Sequence, residues 1–135
     1  MIRVIFAALF LIASSQALAQ TERQPGKAVN INLVKFKPGK IERINEIENK
    51  YFNPAAEKVG IKPVTIRMMS GEWDRQYIFP MPGGMAELDF RGTKEQAAWM
   101  AELDRLAGGP GTGEKLLAEW NAAVDRQTTE YGYQN

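Results

Sequence analysis

The chain of 135 residues contains neither cysteine nor histidine. Without cysteine it cannot form the disulfides that stabilise many small secreted domains, so its stability must come from core packing. The usual ligands of zinc and haem iron are missing, and so are the nucleophile–histidine pairs of hydrolytic enzymes. Carboxylates could still bind calcium or magnesium, but the sequence has no D-x-D-x-D-G calcium loop. We therefore expect no metal and no cofactor.

Neither sign of charge is in excess. Seventeen Lys and Arg face sixteen Asp and Glu, a formal net charge of +1. Proteins that bind nucleic acid or anionic membrane surfaces carry a clear positive excess or a clustered basic patch. The composition therefore argues against nucleic acid and membrane surfaces as partners.

Long hydrophobic runs are also scarce. The apolar run at residues 4–13 follows Arg3 and precedes Ala-Leu-Ala at 17–19. It is too short to span a bilayer, which needs about twenty residues. A basic start, a short apolar stretch and a small-x-small site are typical of a cleaved signal peptide. We expect a signal peptide at 1–19, a periplasmic or secreted protein with no membrane insertion after cleavage, a mobile leader at 20–27 and one domain at 28–133.

The first half of that domain predicts a strand, a long helix and a hairpin. Residues 29–36 predict the strand. From Ile41, apolar residues recur every three or four positions up to Gly60, which predicts an amphipathic helix. Pro54 lacks the amide that a helix needs, so we expect a kink or restart near Asn53. Residues 64–69 and 75–79 predict the hairpin, and residues 85–90 a weak extension of its second strand.

The second half predicts two helices and a last strand. Thr93 and Gln96 have the spacing of a capping box before a helix at 94–106. A glycine-rich loop precedes a third helix, and residues 127–133 predict a short strand. The loop is not a phosphate loop, because it follows a helix and Glu114 stands where lysine is needed. This order predicts an α+β fold, a ferredoxin-like split β-α-β with a four-stranded antiparallel sheet.

The opening strand with its Pro-Gly turn at 32–39, followed by a long helix and a hairpin, resembles the dimeric α/β-barrel superfamily. The segments Gly-Glu-Trp-Asp at 71–74 and Leu-Ala-Glu-Trp-Asn at 117–121 are similar to a secreted, uncharacterised branch of it. The resemblance implies two ferredoxin-like subunits packed sheet to sheet. The superfamily includes cofactor-free monooxygenases, haem-degrading enzymes, lyases and proteins of unknown role. No catalytic residue carries over, because the histidine of several branches has no counterpart here.

Two polar residues in the first strand are candidate ligand-binding residues. Asn30 and Asn32 lie in a strand that is central in this topology, where an unpaired amide costs about 1–3 kcal/mol. They face either a wet or ligand-bearing interior, or solvent, if the strand begins later.

The hairpin supplies the other candidates. Trp73 and Asp74 at its turn could contact a ligand; alternatively, Asp74 braces the turn and Trp73 is buried at an interface. Arg67 and Tyr77 could converge with Arg75 on a substrate oxygen. The alternative for the arginines is cross-strand ion pairing. Other large side chains are interpreted as packing residues: Trp99, Trp120, Met68, Met69, Met81, Met85 and Met100.

Two functions are consistent with these residues. The preferred one is a homodimeric small-molecule-binding or accessory protein without a cofactor. The alternative is a cofactor-free monooxygenase- or lyase-like enzyme acting on a small, partly apolar substrate, with Arg67, Tyr77 and Asn32 as catalytic residues. A buried carboxylate such as Glu72 or Glu87 could then act as the base.

The strands carry apolar residues at odd and even positions alike, so both sheet faces require cover. The simplest cover for the outer face is a second copy of the chain. We place Phe36 on that outer face.

Overall fold

A computed structural model describes residues 26–135 of the chain. The predicted signal peptide and almost all of the predicted leader lie outside these residues. Four strands form one antiparallel sheet: β1 (Lys27–Phe36), β2 (Val64–Arg67), β3 (Arg75–Pro80) and β4 (Val124–Gln134). Their order across the sheet is β2-β3-β1-β4, which places β1 at the centre. The predicted ferredoxin-like α+β fold is confirmed.

The long helix is divided, as its proline predicts. α1 (Ile41–Ile47) continues into a π-helical turn (Glu48–Phe52) and restarts as α2 (Asn53–Val59). Pro54 occupies the first turn of α2, where its missing amide is tolerated. The amide of Asn53 instead donates to the carbonyl of Glu48, five residues back. Gly60, with φ of 80°, ends α2 in the left-handed conformation that glycine allows.

The other two helices also follow the sequence pattern. α3 (Lys94–Ala107) begins with the predicted capping box, in which Thr93 and Gln96 bond each other's backbone amides. α4 (Thr112–Ala123) follows the glycine-rich loop and leads directly into β4. The prediction for residues 85–90 is wrong, because Gly84–Asp89 is a 3-10 helix. Pro82, together with Gly84 at φ of 68°, ends the extended backbone before that segment.

The core lies between the sheet and the helices. Its buried cluster consists of Val34, Phe36, Ile44, Tyr77 and Ala123. Phe36 packs edge-on against Trp120 at a centroid distance of 5.4 Å. The placement of Phe36 on the outer face is therefore wrong. Val34 and Phe36 are two residues apart in β1 and therefore lie on the same face of the sheet, the face that the helices cover.

The outer sheet face consists of the alternate residues. One cross-strand row consists of Val64, Ile78, Ile31 and Glu130, and the next of Ile66, Gln76, Leu33 and Thr128. The edge strand is the most open, with Val64 54% exposed and Ile66 41% exposed. Met69, predicted to pack, is almost fully exposed just beyond this strand.

Candidate functional site

A cavity of about 330 Å³ lies between the inner sheet face and the helices. Its size is near the lower end of the range of about 300–1,000 Å³ typical of small-molecule pockets. Its walls include five aromatic side chains, which come from the π-helical turn, β3, α3 and α4: Phe52, Tyr77, Phe79, Trp99 and Trp120. Aliphatic side chains from α2, the following loop and α4 complete the apolar lining: Ala56, Ile61, Pro63 and Leu117.

Glu48 is a buried carboxylate in the wall of this cavity, with only 5% of its surface exposed. It is the first residue of the π-helical turn. Its Oε1 accepts a hydrogen bond from the hydroxyl of Tyr77 and a longer one, 3.4 Å, from Nε1 of Trp120. Burial of a carboxylate is costly unless it is paired and hydrogen-bonded, and here both conditions are met.

Arg75 provides the opposite charge and is 4% exposed. Its Nε lies 3.6 Å from Oε2 of Glu48, an ion-pair contact that is too long for a hydrogen bond. Its terminal nitrogens donate to the side chain of Asn45 and to the carbonyl of Asp74. Within residues 26–135, Nε of Arg75 is a buried side-chain nitrogen without a hydrogen-bond partner. The pair is thus held by attraction between charges, with the arginine anchored on both sides.

Tyr77 connects this pair to the aromatic walls. Its ring lies edge-on to Trp120 at 5.9 Å and is stacked with Phe79 at 6.4 Å between centroids. Burial, with the nearby charge of Glu48, raises the pKa of the Tyr77 hydroxyl far above its usual value. The phenol therefore stays protonated at physiological pH and donates to Glu48.

The two strand asparagines are on the inner face. Asn32 lines the cavity, opposite Tyr77 in the β1–β3 register. Its Nδ2 donates to Asn30 at 3.1 Å, and its Oδ1 accepts from the hydroxyl of Thr129 at 2.6 Å. Asn30 lies in an adjoining groove. The position of Asn32 thus agrees with a wet or ligand-bearing interior rather than with bulk solvent.

The remaining hairpin candidates lie away from the cavity. Arg67 is exposed at the end of β2 and is not part of the lining. Trp73 packs under the guanidinium of Arg126 at 5.6 Å, a cation–π contact. These two side chains do not converge with Tyr77.

Asp74 braces the strands. Its carboxylate accepts from the backbone amide of Phe36 at 2.9 Å and from Nζ of Lys35 at 3.0 Å. Partial burial alone would raise the pKa of Asp74, but these two donors outweigh it and hold the pKa below its usual value. These contacts are those of a residue that braces the hairpin, the alternative to a ligand contact for Asp74.

The two carboxylates predicted as a possible base, Glu72 and Glu87, differ from the carboxylate that is buried in the cavity wall. Glu72 is exposed and pairs with Arg126 at 2.6 Å, while Glu87 is half-buried and accepts a hydrogen bond from the amide of Gly83. Sequence reasoning missed Glu48. Its signal is a charge within the apolar stripe, four residues after Ile44 and seven after Ile41. Trp99 and Trp120, interpreted as packing residues, also line the cavity.

Within residues 26–135, no group of three or more His, Cys, Asp or Glu side chains is placed to hold a metal ion. No helix of that part of the chain has the length and hydropathy to cross a membrane.

No protein-family model matches the chain, and no curated protein sequence does. Several solved structures, however, align with it. A NIPSNAP family protein from Agrobacterium tumefaciens aligns with a TM-score of 0.55 and 10% identity, over 82% of this chain and 87% of that one. An uncharacterised NIPSNAP domain protein from Burkholderia xenovorans aligns at 0.48 and 12%, over 80% and 94% of the two chains. A dimeric ferredoxin-like protein from an uncultured marine organism aligns at 0.46 and 12%, over 82% and 89%. At such identities a likeness concerns the fold alone, and the first of the three shows that this chain shares the ferredoxin-like fold of a NIPSNAP family protein.

Proposed function

We propose that the protein binds a small, partly apolar molecule in the cavity between the sheet and the helices. The observation that carries this proposal is the position of Glu48, a buried carboxylate in the wall of a cavity whose other lining residues are aromatic, aliphatic or uncharged and polar. Apolar walls with a few convergent polar groups are the usual composition of ligand sites.

Tryptophan fluorescence offers a direct test, because two of the three tryptophans line the cavity. Ligands from a small-molecule library should change the emission and raise the melting temperature by mass action. Thr65, an exposed residue on the cavity rim, gives a blocking variant: Thr65→Trp should abolish these responses without unfolding the protein. Arg67→Trp, two residues along the same strand but outside the lining, is the matched control and should retain them. Equal binding by both variants would contradict the proposal.

We also propose that the protein is a homodimer formed through the outer sheet face. An antiparallel sheet face in contact with water is ordinarily polar, but this one carries an apolar patch of Val64, Ile78, Ile31, Ile66 and Leu33. Gln76 lies within the patch, and Thr128 and Glu130 lie beside it on β4. A two-fold axis through this patch brings it against itself, so that its apolar side chains meet. A second copy is therefore the occupant that this face suits.

Light scattering with size-exclusion chromatography tests the dimer. Ile66→Glu, at a position 41% exposed in a single chain, should give a folded monomer. Arg67→Glu places the same side chain on the opposite face of β2 and should leave a dimer. A monomeric wild-type protein would refute this proposal without affecting the cavity.

The predicted signal peptide adds a proposal on location, the periplasm or the exterior of the cell. Mass spectrometry of the protein recovered from the extracytoplasmic fraction should find a chain that begins at Gln20. A full-length chain retained in the cytoplasm would refute it.

An enzymatic function is the second candidate, favoured by the contact between Glu48 and Tyr77 at the cavity wall. In that case Glu48 would accept a substrate proton, since Tyr77 is already protonated and donates to it. Glu48→Gln should then abolish turnover while the substrate still binds. Turnover that survives this substitution would exclude Glu48 as the base.

A further inference from the structure

The aromatic hydrogen-bond donors around the cavity are already used by the protein. Nε1 of Trp99 donates to the carbonyl of Phe52 at 3.2 Å. Nε1 of Trp120 and the hydroxyl of Tyr77 both donate to Oε1 of Glu48. Oε2 of Glu48 has only the 3.6 Å contact with Arg75 to occupy it. This end of the cavity therefore offers acceptors to a ligand, so the group that meets it must be a donor.

The charges near this end favour a neutral ligand. Among residues 26–135, Glu48 and Tyr77 are the only ionisable residues of the lining, and no lysine or arginine of that range belongs to it. A ligand carboxylate or phosphate would face Glu48 with no lining cation. A ligand cation would gain little, because Arg75 already compensates the charge of Glu48. A hydroxyl group donates a hydrogen bond without bringing charge into the cavity.

The size and the aromatic lining of the cavity favour a ligand that contains a ring. Phe79 and Trp99 are among the five aromatic side chains that enclose the volume of about 330 Å³. Aromatic side chains pack well against flat apolar surfaces. We propose that the ligand is a neutral, apolar ring compound whose hydroxyl group donates a hydrogen bond to Glu48. This inference rests on the proposed binding function and adds the chemical class of the ligand.

Two probes of nearly equal shape test the inference, para-nitrophenol and its methyl ether, para-nitroanisole. Only the first carries a hydroxyl donor. Calorimetry on the wild-type protein should find the phenol bound about tenfold or more tightly than the ether, the factor expected of one charge-assisted hydrogen bond. The neutral phenol, not the coloured phenolate, should be the bound form, because Glu48 repels the anion. Visible absorbance should therefore fall on binding at a pH where the free probe is partly ionised.

The variants assign the effect to the carboxylate. Glu48→Gln should bring the affinities of the two probes together and remove the absorbance change. Glu46→Gln, on the same helix but paired with Arg43 at the surface, should behave as the wild type. If Glu48→Gln fails to fold, the comparison of the two probes on the wild-type protein still tests whether the ligand donates a hydroxyl hydrogen bond.

The outcomes separate this inference from the proposed function. Equal affinity for the phenol and the ether, or preferred binding of the phenolate, would overturn the hydroxyl inference and leave the binding function standing. Failure of both probes to bind, together with no response to the wider library, would overturn the binding function as well.

Discussion

Removing the charge of Arg75 should be among the most destabilising conservative changes in this chain. Arg75→Met keeps most of the aliphatic volume but leaves Glu48, 5% exposed, without its ion-pair partner. The substitution also frees the side chain of Asn45 and the carbonyl of Asp74 from their donor. Breaking a buried ion pair by removing one partner typically costs about 3–5 kcal/mol, because the remaining charge is uncompensated. We expect the free energy of unfolding to fall by about that amount.

The assay is urea unfolding followed by tryptophan emission, at one fixed protein concentration because a dimer would make stability concentration-dependent. Arg43→Met is the matched control. Arg43 bonds Glu46 and Glu119 at the surface, with its side chain 42% exposed. Exposed pairs contribute about 0.2–1 kcal/mol, so this variant should lose no more than that. A loss from Arg75→Met as small as that from Arg43→Met would refute the view that Glu48 and Arg75 form a buried, mutually dependent pair.

Three further substitutions test the framework around the site. The pKa of Asp74 is lower in the folded protein than in the unfolded chain. Its ionised carboxylate therefore stabilises the fold above its unfolded pKa, and this contribution is lost as the pH falls through its folded pKa. Unfolding curves of Asp74→Asn and the wild type should differ near neutral pH and converge in strong acid. Gly113→Ala would place a Cβ 2.7 Å from that of buried Leu103, and should lower the free energy of unfolding by about 1–3 kcal/mol; an unchanged urea midpoint would refute this contact. Thr93→Ala removes the capping box with Gln96 and should cost about 1 kcal/mol in the same assay, whereas no loss would mean that the cap does not stabilise α3.

Local rules of the backbone predicted the fold well. Pro54 marked the interruption of the long helix because a missing amide acts on its own turn, whatever the tertiary context. Thr93 and Gln96 marked the start of α3 for a similar reason, since capping depends on four consecutive residues. The weak alternation at residues 85–90 was misleading. The turn formed by Pro82 and Gly84 decides that segment, and alternation alone does not reveal it.

The side-chain faces and the site were harder to predict, because they depend on partners distant in sequence. Alternation places Val34 and Phe36 on one face of β1, but which face the helices cover depends on packing with residues far along the chain, such as Trp120. Asn32 was identified because an amide in a central strand is unusual, and Tyr77 because it lies near two arginines of the hairpin. Glu48 was missed because a single carboxylate in a helical stripe is ordinarily a surface residue. Only the fold shows that Arg75 lies behind it.

The buried pair of Glu48 and Arg75 is poorly explained by stability alone. Replacing both partners of such a pair by apolar residues of similar volume is often neutral or stabilising, by about 1–4 kcal/mol. The double variant Glu48→Met with Arg75→Met should therefore regain most of the stability that Arg75→Met loses. It should also lose the preference for a hydroxyl-bearing ring, because the acceptor at the cavity wall is gone. A double variant that stays as unstable as Arg75→Met would mean that the polar contacts themselves hold this region together. A stable double variant without selectivity would mean that the charged pair serves the ligand.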